Sequence, residues 1–329
     1  MSSSEQIGLG VIGAGRHGIR YIRHIVRDLP DARLYAVCRR DPALALDIEG
    51  TEGVALYGSY RQLIADPRVD AVIVVTPPVL NRDICLAAVE SKKPILVEKP
   101  LAATVDEARA IVDAATTQGV PLMTAQTLRF DATVQMLREK KRMVGVLQHL
   151  ILSSRIETKG RSVNHADGYG RRGALLEFGV HLLDLVRYVT EEEIRQIRCI
   201  MKPQPPDHPE HVALVQLRTV GGAYCSIEVA RVAAGRVGRA ELIGSEGQIQ
   251  ADWTNRHHRL VDRNGHDETQ TFPPSLTVLS TLQAFLSALS QGNPMPITGE
   301  DGCRAVELAE ACYRSAADGG HPVELIPAE

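Results

Sequence analysis

The passage Ile7-Gly8-Leu9-Gly10-Val11-Ile12-Gly13-Ala14-Gly15-Arg16-His17-Gly18 decides the fold. Its first half is a short apolar run of strand length. Its second half is a G-x-G-x-x-G loop that opens a helical segment at 19–27. Each glycine has a mechanical task. Gly13 permits the tight turn, Gly15 lets the backbone approach a pyrophosphate, and Gly18 allows the helix to pack closely on the strand. Phosphate oxygens would then face the free N–H groups of a helix N-terminus. Gly13, Gly15, Arg16, His17 and Gly18 are therefore expected to hold a dinucleotide.

Short apolar strands follow at 33–38, 71–75, 95–97 and 121–124, with helical stretches at 42–49, 82–90 and 105–117 between them. Asp41 and Thr104 stand where N-cap side chains belong, and Pro42 at a first helical position. Such βαβ alternation specifies a doubly wound α/β domain, a parallel sheet with helices on both faces. From about Val146 the pattern changes. Gly221-Gly222 follows a strand at 212–220, Gly244-Ser245-Glu246-Gly247 one at 239–243, and Asn264-Gly265 one at 259–262. These are hairpin signals, so the second half is expected to be α+β with a mostly antiparallel open sheet. A long helix at 174–189 interrupts it, and helices near 275–290 and 301–317 close the chain. The expected division is residues 1–125 for dinucleotide binding and 126–329 for substrate binding and oligomerisation, with helix 301–317 packing back on the first domain.

A chain of 329 residues is long for one core and suits two domains. A formal net charge of −3 provides no basic face, so nucleic acid is not an expected partner. No apolar run approaches the ~20 residues that span a bilayer, so no membrane role is expected. The opening Met1-Ser2-Ser3-Ser4-Glu5-Gln6 lacks the basic and apolar regions of a signal peptide. Cys38, Cys85, Cys199, Cys225, Cys303 and Cys312 include no C-x-x-C pair. They read as small core residues in a reducing, cytoplasmic setting, not as a disulfide framework or a metal site.

At the close of the second strand, Ala36-Val37-Cys38-Arg39-Arg40-Asp41, the position expected to carry an acidic residue for a ribose 2′-hydroxyl holds Arg39. An arginine attracts a 2′-phosphate that an aspartate would repel, which favours NADP(H) over NAD(H). In the competing reading Arg39 and Arg40 are solvated and stack on the adenine, leaving Asp41 to face the ribose.

Two further segments carry chemistry. In Pro94-Ile95-Leu96-Val97-Glu98-Lys99-Pro100 a buried strand ends in a Glu-Lys pair that must be paired, solvated or used. In an open parallel sheet that end is where ligands bind. The helix at 174–189 is apolar nearly all round, hence buried, yet Glu177, His181 and Asp184 recur at i, i+4 and i+7, and Tyr188 continues the stripe. A buried carboxylate and imidazole are costly unless paired, so the stripe implies a network or a site. His181 alone reads as a satisfied core histidine; beside Lys99 and a cofactor loop it reads as functional. Asp184 reads as structural, a support for His181 or a partner for an arginine.

These motifs resemble the glucose–fructose oxidoreductase / inositol dehydrogenase / rhizopine-catabolism (Gfo/Idh/MocA) family. The resemblance runs through Gly13–Gly18, Thr76-Pro77, Val97-Glu98-Lys99-Pro100, Arg129-Phe130-Asp131, Gly173-Ala174-Leu175-Leu176, Gly179-Val180-His181-Leu182-Leu183-Asp184, Gly244-Ser245-Glu246-Gly247 and Gly299-Glu300-Asp301-Gly302. It implies an N-terminal Rossmann domain and a C-terminal α/β domain whose open sheet forms homodimers or homotetramers. A substrate would lie between the domains, over the nicotinamide. The resemblance makes Lys99 and His181 catalytic and adds Thr76, Pro77, Glu98 and Lys99 to the cofactor set. Glu177 stands where family members commonly carry an aspartate. Asn81 stands where many carry a histidine, and it is expected to be a helix-start residue. The Lys99–Pro100 bond is implied to be cis.

Oxidising a secondary alcohol removes a hydride from carbon and a proton from oxygen. His181 suits the proton, since an ordinary imidazole titrates near pH ~6.5. Lys99 would stabilise the developing alkoxide or share the proton, and Glu177 would orient His181 or contact substrate hydroxyls. Which of Lys99 and His181 is the immediate base stays open. The segment 155–173 carries Arg155, Lys159, Arg161, Arg171 and Arg172 against Glu157 and Asp167. It reads either as a cradle for an anionic sugar derivative or as a solvated loop or oligomer contact. Arg129, Arg155, Arg172 and Asp184 are the candidate substrate contacts, and a sugar, polyol or sugar acid the expected substrate. The rival functions are a same-fold glycoside hydrolase working by transient oxidation and a non-catalytic NAD(P)-binding sensor. Retention of Lys99 and His181 favours the dehydrogenase.

Overall fold

A computed structural model of the chain describes residues 6–44, 46–157, 168–202 and 208–325. The chain divides into two compact units, Met1–Thr127 with Leu276–Cys303, and Leu128–Ser275 with Arg304–Glu329. A single cut after residue 125 therefore misplaces Leu276–Cys303. The reason lies in backbone pairing: Thr124 donates its N–H to the Ile297 carbonyl at 3.3 Å, and Met123 bridges Thr298.

The first unit alternates β1 (Ile7–Ile12), α1 (Gly18–Asp28), β2 (Ala32–Cys38), β3 (Ala55–Tyr57), α2 (Tyr60–Ala65), β4 (Ala71–Val74), α3 (Asn81–Glu90), β5 (Ile95–Glu98), α4 (Val105–Gln118) and β6 (Leu122–Ala125). The six strands form one sheet in the order β3-β2-β1-β4-β5-β6, parallel throughout. β4, β5 and β6 are buried at every position, as expected for strands covered on both faces. The strand order reverses between β1 and β4. The crevice outside their carboxyl ends is where such sheets bind ligands.

Local chemistry explains the boundaries. Thr104 Oγ1 accepts from the Glu107 N–H at 3.3 Å while the Glu107 carboxylate accepts from the Thr104 N–H at 3.2 Å, closing a capping box at the start of α4. The expected helix at 42–49 does not form over its described residues. Asp41 Oδ1 instead accepts from the Ala43 N–H at 3.1 Å, and this local turn competes with a helical start. The β3 and α2 that follow, 3 and 6 residues long, are too short for a periodic pattern to stand out in the sequence.

The second unit contains α5 (Ala132–Glu139), β7 (Leu147–Glu157), a π-helical turn Leu175–Gly179 running into α6 (Val180–Thr190), and β8 (Ile194–Met201). The hairpin of β9 (Val212–Thr219) and β10 (Tyr224–Val232) follows, then the antiparallel meander β11 (Val237–Gly244), β12 (Gly247–Asp252), β13 (His257–Asp262) and β14 (Asp267–Thr271). The turns of β9–β10, β11–β12 and β13–β14 fall where the glycine signals placed them. After α7 (Thr277–Gln291) of the first unit comes α8 (Gly299–Ala317), which contributes to both units, and then the short β15 (Val323–Glu324).

The nine-stranded sheet has the order β14-β13-β12-β11-β7-β10-β9-β8-β15 and is antiparallel except where β10 pairs with β7. One face supplies Leu150, Leu152, Val215, Leu217, Ile227 and Val229 to a core shared with Leu182, Leu183 and Val186 of α6. Period-two alternation sends other residues to the opposite face, where Ile200, Leu214 and Tyr224 are 65%, 51% and 63% exposed. All six cysteines are buried free thiols. Among the described residues no helix is long and apolar enough to cross a membrane.

The capping box yields a stability test. Thr104→Ala removes a side-chain acceptor from the first turn of α4 and is expected to cost about 1 kcal/mol. Urea unfolding should show a lowered midpoint with an unchanged slope; an unchanged midpoint would mean that α4 does not depend on this cap.

Candidate functional site

The three loop glycines meet different constraints. Gly13 has φ +103° and donates to the Cys38 carbonyl at 2.9 Å; a Cβ there would stand 2.3 Å from the Val75 carbonyl oxygen. A Cβ on Gly18 would lie 1.9 Å from the Gly13 oxygen. A Cβ on Gly15 would meet nothing within 4 Å. Gly13 and Gly18 thus serve the protein's own turn and packing, whereas Gly15 fronts open space. The first turn of α1 carries no acidic residue of its own. A tight turn, an open glycine and a helix start are what a pyrophosphate cradle requires.

The Glu-Lys pair at the end of β5 is both paired and partly open. Glu98 is 7% exposed. Its Oε1 lies 2.6 Å from His17 Nε2 and accepts from the Tyr21 hydroxyl at 2.5 Å, while its Oε2 accepts from the Lys99 N–H at 3.1 Å. Burial alone would raise the Glu98 pKa. The hydrogen bond and charge of His17, the Lys99 charge and the Tyr21 hydroxyl outweigh burial and hold it at about 2. Burial, reinforced by the neighbouring carboxylate, pushes the Tyr21 phenol well above its usual value. Lys99 itself is half-buried, and the Lys99–Pro100 bond is cis.

Asn81 is the first residue of α3 and is 1% exposed. Its side-chain amide donates to the carbonyls of Pro100 and Leu101 at 3.2 and 3.1 Å and accepts from Thr76 Oγ1 at 2.7 Å. Thr76, beyond the end of β4, is thereby tied to the turn that follows Lys99; Pro77 beside it is exposed. At the end of β2, Arg39 donates to the Leu44 carbonyl at 3.2 Å, and Arg16, Arg40 and Asp41 are exposed.

In the second unit the helix expected at 174–189 begins with the π turn. That wider turn shifts Glu177 around the axis relative to an unbroken α-helix. Each carboxylate of the stripe has its own arginine. Glu177, 5% exposed, is paired with Arg231 of β10. Asp184, 1% exposed, accepts from Arg129 through two bonds of 2.8 and 2.6 Å. Arg129 and Arg138 both lie over the Tyr188 ring. His181 is half-buried near the start of α6. The helix entrance is held by Glu210, whose carboxylate accepts from the Gly173 and Leu175 N–H groups at 2.8 and 2.9 Å and from the Tyr313 hydroxyl at 2.8 Å.

The arginines expected to contact substrate are engaged within the unit. Arg155 forms a fork with Glu228 at 2.9 Å for both bonds, and Arg172 stacks 4.6 Å over the Tyr313 ring. Lys159, Arg161 and Asp167 lie outside the described residues. Among the described residues no group of three or more His, Cys, Asp or Glu is arranged to hold a metal.

Residues 7–126 match an oxidoreductase family model described as an NAD-binding Rossmann fold, and residues 164–325 match the same family's C-terminal alpha/beta domain. The chain belongs to the Gfo/Idh/MocA oxidoreductase family. Among its relatives is inositol 2-dehydrogenase 2 of Saccharopolyspora erythraea, 29% identical over 98% of this chain and 96% of that one. A probable dehydrogenase from Thermotoga maritima has a solved structure that superposes with a TM-score of 0.81 at 26% identity, over 97% and 98% of the two chains. A further fold match is an oxidoreductase from Agrobacterium radiobacter in complex with NAD+, L-tartaric acid and magnesium. It has a TM-score of 0.83 and 22% identity, covering 97% of this chain and 98% of that one.

Family motifs pointed to Lys99, His181 and the glycine loop, but not to Tyr21, Glu210 or Arg231. Tyr21 could have been found as a hydroxyl on the apolar face of α1. Arg231 could have been found as a charge breaking the end of an alternating strand. Glu210 left no signal, because its partners, two backbone N–H groups and the Tyr313 hydroxyl, are distant in sequence.

Glu98 has a defined acid signature. Its folded pKa of about 2 lies below the ordinary 4.5, so the ionised carboxylate contributes stability above about pH 4.5 that is lost as pH falls toward 2. The contribution is on the order of 3 kcal/mol. Glu98→Gln should be less stable than the parent at pH 7, with the difference narrowing as pH falls to 3. A gap that is constant across that range in urea titrations would refute the assignment.

Proposed function

We propose that this chain is an NAD(P)-dependent dehydrogenase that oxidises a secondary alcohol of a polyol or sugar, or reduces the corresponding carbonyl. The observation that carries the reading is the setting of Lys99. It emerges half-buried from the carboxyl end of β5, with Glu98 fixing its backbone and Asn81 fixing the turn that follows. The S. erythraea relative supports a cyclic polyol as the first substrate to test.

The nicotinamide cofactor supplies the hydride acceptor when bound. Gly13, Gly15, Arg16, His17 and Gly18, with Thr76 and Pro77, are the residues proposed to hold it. His181 is proposed to take the hydroxyl proton, and Lys99 to stabilise the oxyanion left behind, its ammonium being worth most in a site shielded from water. With its carboxylate taken up by Arg231, Glu177 is proposed to steady the helix that carries His181 and not to take a proton. The Arg129–Asp184 pair is proposed to do the same from the other side of the stripe.

For the cofactor we propose NADP(H) over NAD(H). Arg39 follows β2 directly, where the ribose is expected, and Asp41 is drawn into its own turn by the Ala43 N–H. We also propose that the exposed face of the nine-stranded sheet joins copies of the chain, because Ile200, Leu214 and Tyr224 present apolar surface there.

Two measurements test these readings. Inositols, other polyols, sugars and sugar acids are assayed at 340 nm with NAD and NADP separately. Reduction with at least one substrate is expected, falling about 100-fold or more in Lys99→Ala and in His181→Ala. No reduction with any substrate would defeat the dehydrogenase reading, and a clear NAD preference would defeat the Arg39 argument alone. Light scattering should find an oligomer that Tyr224→Glu weakens; a monomeric parent protein would remove the sheet-face proposal.

A further inference from the structure

Glu98 is bonded in two directions. Its Oε1 faces the glycine loop, where His17 Nε2 approaches to 2.6 Å, and its Oε2 accepts the backbone N–H of Lys99 at 3.1 Å. An ionised carboxylate has no hydrogen to give, so the Nε2 of His17 is the donor. We infer that His17 is a positioning residue for Lys99, acting through the Glu98 carboxylate; the inference rests on the reading of Lys99 as catalytic.

The two donors on Oε1 differ in what they can do. Tyr21 is fully buried and belongs to the core, with its ring edge-on to His17 at a centroid separation of 5.6 Å. Its hydroxyl holds the carboxylate from beneath. The His17 side chain is 44% exposed and sits in the loop between β1 and α1. Besides helping to keep Glu98 ionised, the pair acts on the geometry of the carboxylate. Its effect is directional. With the imidazole in place, the carboxylate is held at Oε1 by two donors in different directions, so it cannot swing about its terminal torsion. That fixes Oε2, and with it the peptide N–H from which the Lys99 side chain starts. Loss of the imidazole leaves Tyr21 as the single donor on Oε1 and loosens the hold on the carboxylate plane. Side-chain misplacement by about 1 Å is enough to cost on the order of 100-fold in rate. The Lys99 backbone remains anchored at Pro100 and Leu101 by Asn81, so a smaller loss, about tenfold, is expected here.

The arrangement also gives the loop a route to the catalytic turn. His17 is adjacent to Gly18, whose close approach to Gly13 sets the loop's shape. A change in the loop is therefore carried to Lys99 by two hydrogen bonds and one rigid carboxylate.

The test compares the parent protein with His17→Ala, His17→Gln and Lys99→Ala. Gln is chosen because its terminal amide can place a donor near the position of Nε2. Three quantities are measured: kcat at saturating substrate and cofactor, cofactor Kd by calorimetry, and the rate at which acetic anhydride labels Lys99 in cofactor-free protein, followed by mass spectrometry. His17→Ala is expected to lower kcat about tenfold and to change the Lys99 labelling rate at least twofold. His17→Gln is expected to restore most of both. A loss confined to cofactor Kd, or an unchanged labelling rate in His17→Ala, overturns the inference. So does a loss of kcat that His17→Gln fails to restore. An inactive Lys99→Ala beside an unimpaired His17→Ala overturns it while leaving the catalytic reading of Lys99 intact. Full activity in Lys99→Ala overturns both.

Discussion

Burying an ionised carboxylate costs several kcal/mol unless donors replace its water, and Glu98 at the end of β5 meets that condition with an imidazole, a phenol and a peptide N–H. Each donor belongs to a different part of the first unit: the glycine loop, the first turn of α1, and the turn after β5. The carboxylate is thus a joint. It is affordable only because the parallel sheet delivers β1 and β5 to the same end, where their loops can meet. Asn81 does the equivalent work for a neighbouring pair of loops, binding Thr76 to the Pro100–Leu101 backbone without any charge.

The second unit solves a similar problem differently. Its central helix must be apolar to pack on the sheet, yet it carries Glu177, His181 and Asp184. Arg231 and Arg129 come from outside the helix to neutralise the two carboxylates, and Glu210 satisfies the buried N–H groups at its entrance. The π turn at Leu175–Gly179 lies between that entrance and His181. Irregular turns of this kind interrupt the regular hydrogen-bond ladder and recur at functional sites.

Much of this was legible in the chain. The parallel sheet announced itself through buried apolar runs alternating with helices, and the hairpins through glycine pairs at their turns. Loop glycines are readable because each backbone task excludes a side chain. The failures have physical causes too. At 42–49 the composition suits a helix, but Asp41 spends its side chain on a turn. The segment Leu276–Cys303 belongs with the first unit through a backbone bridge to β6 that leaves no trace in residue type.

The sequence by itself determined the family, the two kinds of sheet, and the residue types at the ends of strands and along α6. Periodicity and glycine placement are local properties, and local properties survive in a linear string. Only the tertiary structure decided which charge meets which. His17 and Tyr21 lie far from Glu98 in the chain, as does Glu177 from Arg231, and Gly173 from Glu210. Their pairing is set by where the strands deliver them, and the energetic demand that every buried charge be satisfied is met at that level alone.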